Sequence, residues 1–255
     1  MRRAILFLLT AVLGSALAAT PAQGAFGLNG LEVEFLTEAG DLERQAGNHP
    51  FEMGTAFNLN TIEERGGGQY IDGAIRDLDI EQALGFAGNP SAVPRCTTLE
   101  FLDRSGGVNN CADSSAIGFT SGQIASYGNI ASFDPVPVYL LEPAPGTAGK
   151  IAFWVQDVPI AVDLGLTQAP PYRVFAKLQN IPGVVEVVSA QLTAWGNPAD
   201  PDHDTERGRC RETFALDSCP ANIAEKPLIT LPRRCSGPLQ TLFRAIPWWT
   251  GDPLA

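Results

Sequence analysis

Histidine, positive charge and long apolar runs are what this sequence most lacks. Only His49 and His203 occur among 255 residues, so a Ser-His-Asp or Cys-His mechanism would have to be built on one of them. No G-x-S-x-G elbow supplies a nucleophilic serine. Gly66-Gly67-Gly68 is not followed by Lys-Ser/Thr, which excludes a phosphate loop and suits a hairpin tip before Tyr70. No C-x-x-C pair is present and His203 is the only histidine near the later cysteines, which argues against zinc. Lys and Arg number 17 against 28 Asp and Glu, a net charge of −11. An acidic surface repels phosphate backbones, so nucleic acid is excluded as a partner, and anionic lipid surfaces are disfavoured as docking sites.

What is present first is an export signal. Met1-Arg2-Arg3 precedes an apolar run from Ala4 to Leu13, and Ala16-Leu17-Ala18 or Ala22-Gln23-Gly24 gives a small-x-small cleavage pattern. Charge, short apolar core and small residues in that order define a cleavable signal peptide, assigned to residues 1–24. The core is shorter than the roughly 20 apolar residues of a membrane anchor, and every later apolar run is cut by Pro, Gly or a charge. No transmembrane segment is expected after cleavage, and residues 25–255 are expected to be secreted or held at the cell surface. Without Arg2 and Arg3, the 17 basic residues fall by two, so the exported part is more acidic still.

Export into an oxidising space makes disulfides the default for Cys96, Cys111, Cys210, Cys219 and Cys235. Cys96 and Cys111 bracket the turn-rich Gly106-Gly107-Val108-Asn109-Asn110, and a bridge closing that loop is expected. Among the other three, Cys210–Cys219 and Cys219–Cys235 are equal alternatives, and one cysteine is left over.

Apolar alternation sets the fold class. Leu31, Val33 and Phe35 share one side of a strand, as do Phe51, Met53, Thr55, Phe57 and Leu59. Short β-favouring runs follow at 77–80, 136–141, 151–158, 161–166, 173–178, 184–195 and 241–249. With 20 prolines and 26 glycines between them, the expectation is an all-β fold, an antiparallel β-sandwich stapled by disulfides, in one large or two small domains. Two short helical turns are expected, at 96–103, where Thr97-Thr98-Leu99-Glu100 makes a helix start, and near 204–210.

Candidate chemistry is sparse. Asp200, Asp202, Asp204 and Glu206 alternate as in a Ca²⁺ loop, although His203 stands where a turn residue belongs and Arg211 occupies the twelfth position. A solvated acidic loop neutralised by Arg207 or Arg209 is the alternative. His49, in Gly47-Asn48-His49-Pro50-Phe51, suits a base or a turn-capping residue. Trp248 and Trp249 are either packed against a sheet or a stacking platform for a ligand.

Several phrases occur together in order: Ala46-Gly47-Asn48-His49-Pro50-Phe51, Gly88-Asn89-Pro90 through Pro94-Arg95-Cys96, Cys111-Ala112-Asp113-Ser114, Trp195-Gly196 with Pro198-Ala199-Asp200-Pro201, and His203-Asp204 with Glu206-Arg207-Gly208. The set resembles the N-terminal region of large uncharacterised secreted bacterial proteins. That resemblance implies a shortened member of such a group and carries over no catalytic residue. The sequence therefore points to a non-enzymatic extracytoplasmic module that binds an envelope polymer or a surface protein. The alternative is a polysaccharide or cell-wall hydrolase using paired carboxylates.

Overall fold

The structure, a computed structural model, describes residues 26–63, 68–126, 129–184, 186–213, 217–234 and 237–248. The signal at 1–24, Cys235, Trp249 and two of the three glycines at 66–68 lie outside them. Ten strands carry the fold: β1 (Leu28–Leu36), β2 (Glu52–Leu59), β3 (Ile75–Glu81), β4 (Ala116–Ser126), β5 (Asn129–Leu141), β6 (Gly149–Val155), β7 (Val158–Leu166), β8 (Val174–Leu178), β9 (Glu186–Trp195) and β10 (Leu242–Pro247). They form one sheet in the order β1-β2-β9-β4-β5-β6-β7-β8-β3-β10, antiparallel at every pairing. β4 to β8 are a meander. β9 returns to pair with β4, which places the β1–β2 hairpin on one flank, while β3 and β10 extend the other.

The sheet is curled, and its geometry requires this. β2 and β3 stand second and ninth in the order, so in a flat sheet they would be roughly 34 Å apart at about 4.8 Å per strand. Instead Phe57 of β2 belongs to one apolar core with Leu78 and Ile80 of β3. The two halves face each other across that core as the layers of a sandwich do. The seam between the flanks is bridged by the segment 227–232. Leu228 N–H donates to Gly196 O (2.7 Å), Leu231 N–H to Asn48 O (2.9 Å), and Ile229–Thr230 pairs with Ala87–Gly88. Phe35 of β1 also meets Phe86 at 6.0 Å between ring centroids.

Alternation puts Ile151, Phe153 and Val155 of β6 opposite Val162, Ile160 and Val158 of β7, a β-branched and aromatic set that packs well on a pleated surface. Val138–Leu141 is buried without alternation because both faces are covered there. Val138 and Leu140 face the interior core, whereas Tyr139 and Leu141 pack under an outer layer with Cys96, Phe101, Cys111, Ala152 and Trp195.

That outer layer holds the helical turns. Helix α1 (Thr98–Leu102) begins as expected: Thr97 caps the Glu100 N–H and the Glu100 side chain returns to the Thr97 N–H. Helix α2 (Gly208–Thr213) starts four residues later than the expected turn, after a 3₁₀ turn at Pro201–His203. The bridges are Cys96–Cys111 and Cys210–Cys219, with Cα separations of 5.3 and 5.9 Å; the second resolves the two pairings that the sequence left open. β4, eleven residues long at the middle of the sheet, has no counterpart among the expected strands. Its Gly118 (φ 156°) and Gly122 interrupt the alternation, and a Cβ at either would land on a β9 carbonyl, of Thr193 or Ser189.

The Cys96–Cys111 bridge spans 15 residues, for which loop-closure entropy gives roughly 3 kcal/mol. Replacing both cysteines by alanine is expected to lower the unfolding free energy by that amount, read from denaturant titration, while the far-ultraviolet circular dichroism of the sheet is retained.

Candidate functional site

The curled sheet does not fill itself. Between its halves lies a cavity of about 450 Å³, with walls from β2 through β9 and from the segment Phe86–Pro90. Interiors normally contain few voids larger than a water molecule, and ligand pockets run from about 300 to 1,000 Å³. The lining is apolar: Met53 and Phe57 from β2, Leu78 and Ile80 from β3, Phe153, Val162, Ala176, Ala190 and Leu192. Two of the few polar side chains on the wall are occupied elsewhere. Thr120 donates its hydroxyl to Gln191 O (2.9 Å), and Asn89 donates to Pro227 O (3.2 Å). Water inside would find almost nothing to bond to.

The cavity reaches the surface at one end. Leu166 lines it and is 59% exposed, and Ala87 and Gly88 on the facing loop are exposed as well. The two sides of this opening are adjacent: a Cβ on Gly149 would lie 3.6 Å from Leu164 and 3.7 Å from Pro90. Phe175 closes over Gly165 so tightly that a Cβ there would meet its ring at 2.6 Å.

The acidic run from Asp200 to Glu206 lies outside this cavity, on the convex side. Asp200 accepts the Asp202 N–H (3.1 Å) and caps the 3₁₀ turn. Asp204 pairs with Arg207 (3.1 Å) and Glu206 with Arg211 (3.1 Å). Among the described residues no three His, Cys, Asp or Glu side chains converge as metal ligands. The run instead builds a buried node. Arg207 is fully buried; its guanidinium donates to Pro198 O, Asp200 O and Asp204 Oδ1 and lies 5.2 Å from the Trp195 ring. His203 stacks on Trp195 at 4.6 Å and meets Phe51 at 4.5 Å. Burial, with Arg207 nearby, pushes the His203 imidazole down to about 4, against the opposing pull of Asp200.

His49 faces Ile229 O (3.0 Å) and Thr230 Oγ1 (3.2 Å), so it ties the loop before β2 to the bridging segment. Trp248 is 43% exposed, donates its Nε1–H to Ile181 O (2.8 Å) and lies under Arg76 at 5.9 Å.

Sequence reading passed over one polar cluster. Glu212 on α2 accepts from Asn109 Nδ2 (3.1 Å) and from the Tyr139 hydroxyl (3.5 Å). Burial pushes its carboxyl up to about 7, with Arg104, the Tyr139 bond and Arg209 pulling the other way. The same environment holds Tyr139 well above its ordinary value. Asp113, the second carboxylate here, is bound to Arg209 by its side chain (2.7 Å) and accepts the Arg209 N–H. Nothing in the spacing of Asn109, Tyr139 and Glu212 announces this cluster.

Fold and site together define a disulfide-bonded, curled antiparallel β protein with an apolar interior cavity, and no helix among the described residues is long and apolar enough to cross a membrane. Comparison with protein-family models, with curated proteins and with solved structures finds no match.

Arg207→Met removes the donor from two buried carbonyls and from Asp204, and it is expected to cost about 3–5 kcal/mol in denaturant unfolding. The two shifted groups give opposite pH dependences. Between about 4.5 and 7 the unfolded Glu212 loses its proton while the folded one keeps it, so stability falls as pH rises; Glu212→Gln should abolish that loss. His203 must stay neutral when folded, so stability falls as pH drops from about 6.5 towards 4, and His203→Phe should flatten that limb. Melting temperature against pH for both variants and the parent tests the two assignments separately.

Proposed function

We propose that this protein is an extracytoplasmic, non-enzymatic binding module whose ligand is an apolar molecule held between the two halves of the curled sheet. The observation that carries this reading is the cavity of about 450 Å³ with its almost wholly apolar wall. Burying an aliphatic group there gains about 25 cal/mol per Å² of apolar surface and relieves the unfilled volume at the same time. The export signal and the two disulfides favour a role outside the cytoplasm. The apolar face is the inner one, the reverse of a membrane-spanning barrel, whose lipid-facing surface is apolar. A sheet built to hold an apolar solute in water serves as a carrier or receptor, with no bond made or broken.

The test uses N-phenyl-1-naphthylamine, a neutral probe whose fluorescence rises in apolar surroundings. The protein is expected to bind it saturably, and hexadecanol to displace it. Ala176→Phe and Ala190→Phe project a ring into the cavity from β8 and β9, so each should cut probe binding at least tenfold while leaving the melting temperature unchanged or higher. No saturable binding by the folded parent, or unchanged binding by both variants, would refute the reading.

A further inference from the structure

The cavity is apolar, but its mouth is not. Ala87, at the lip, belongs at once to the cavity and to a second recess formed by Leu84, Gly85, Thr230, Leu231, Arg233 and Arg234. The recess is held in shape from below. Ile229–Thr230 pairs with Ala87–Gly88, Gly47 N–H donates to Pro232 O (3.0 Å), and a Cβ on Gly85 would lie 3.3 Å from Pro232.

Arg233 and Arg234 are both exposed, and neither forms an ion pair among the described residues. In a chain with 28 acidic and 17 basic side chains, six basic side chains among the described residues have a carboxylate within reach. Arg104, Arg207, Arg209 and Arg211 each have one. Two adjacent guanidiniums left unpaired beside the opening of a dry cavity form a site for negative charge. A guanidinium binds a carboxylate or phosphate in a two-pronged geometry.

We infer that the ligand is a long-chain amphiphile with an anionic head, its chain in the cavity and its carboxylate or phosphate on Arg233 and Arg234. Ala87 and Gly88 mark the crossing point from chain to head. Their small side chains leave the passage clear, and Leu84 and Leu166, both exposed, flank the section of chain that leaves the interior. The inference rests on the cavity being the binding site, and it adds the charge and the residues that read it. Repulsion by the acidic surface as a whole makes a local cationic pair necessary for an anionic solute to approach.

The experiment displaces N-phenyl-1-naphthylamine from the purified chain with palmitate, with dodecyl phosphate and with hexadecanol, each below its aggregation limit. Palmitate is expected to compete about tenfold better than hexadecanol in low salt, and that advantage should shrink as ionic strength rises. Arg233→Gln combined with Arg234→Gln should remove the advantage and leave hexadecanol displacement unchanged, which also reports that the cavity is still folded. Comparing palmitate with dodecyl phosphate against their neutral alcohols distinguishes a carboxylate head from a phosphate one. Equal competition by charged and neutral chains, or an advantage that survives the double substitution, would overturn the head-group assignment while leaving the apolar cavity reading intact. Failure of every chain to displace the probe would overturn both.

Discussion

Strand spacing fixes the perimeter of a sheet, and the reach of its side chains fixes how much of the enclosed space it can fill. Eight strands close on an interior that side chains can occupy or that holds one small ligand. This protein uses ten, and apart from the edge strands their inward residues, such as Met53, Phe57, Phe153, Val162 and Leu192, line a space they do not fill. The apolar inner face, the need for a bridging segment across the seam and the open lip at Leu166 and Ala87 all follow from that one constraint. A wider sheet would collapse flat unless its two flanks were tied together. Residues 227–232 tie them through Gly196, Asn48 and Ala87–Gly88.

The convex side supplies the rigidity that a hollow interior cannot. Trp195, the last residue of β9, is fully buried beneath His203 and beside Arg207. Gly196, immediately after it, accepts the Leu228 N–H and donates its own N–H to Phe51 O (2.7 Å). A Cβ on Gly196 would collide with the Pro50 carbonyl, so the contact between β9's end and the start of β2 depends on glycine. The guanidinium of Arg207 then gathers carbonyls of a loop that has no ladder to satisfy them. Both disulfides sit in this same outer layer.

Much of the fold was legible because it rests on local rules. The alternation of Met53, Thr55, Phe57 and Leu59 gave β2, the Thr97–Glu100 pair gave the start of α1, and the spacing of Cys96 and Cys111 gave their bridge. Where long-range packing decides, the sequence was silent. β4 runs through the middle of the sheet on glycines that a close neighbour requires, and they erase the pattern that would reveal a strand. Leu31 reads as an inward residue yet is 42% exposed, because β1 is the sheet's edge and its outer half extends past the core. The acidic alternation from Asp200 to Glu206 has the spacing of a cation loop, but three of its four carboxylates are held by a backbone N–H or an arginine. Which partner a carboxylate finds is a tertiary fact.

Several residues of the phrases at 46–51, 88–96, 111–114 and 195–208 serve the fold as joints. Phe51 of the 46–51 stretch lies on His203 of the later stretch; Asn89 holds Pro227; Asp113 holds Arg209. Each joins segments distant in the chain through a specific ring contact, hydrogen bond or ion pair. The cavity wall has no comparable vocabulary. Isoleucine, valine and leucine at period two describe a filled core and a hollow one equally well, and only the number of strands sharing that face separates the two. The cavity is a volume left between ordinary residues, and a volume has no sequence motif.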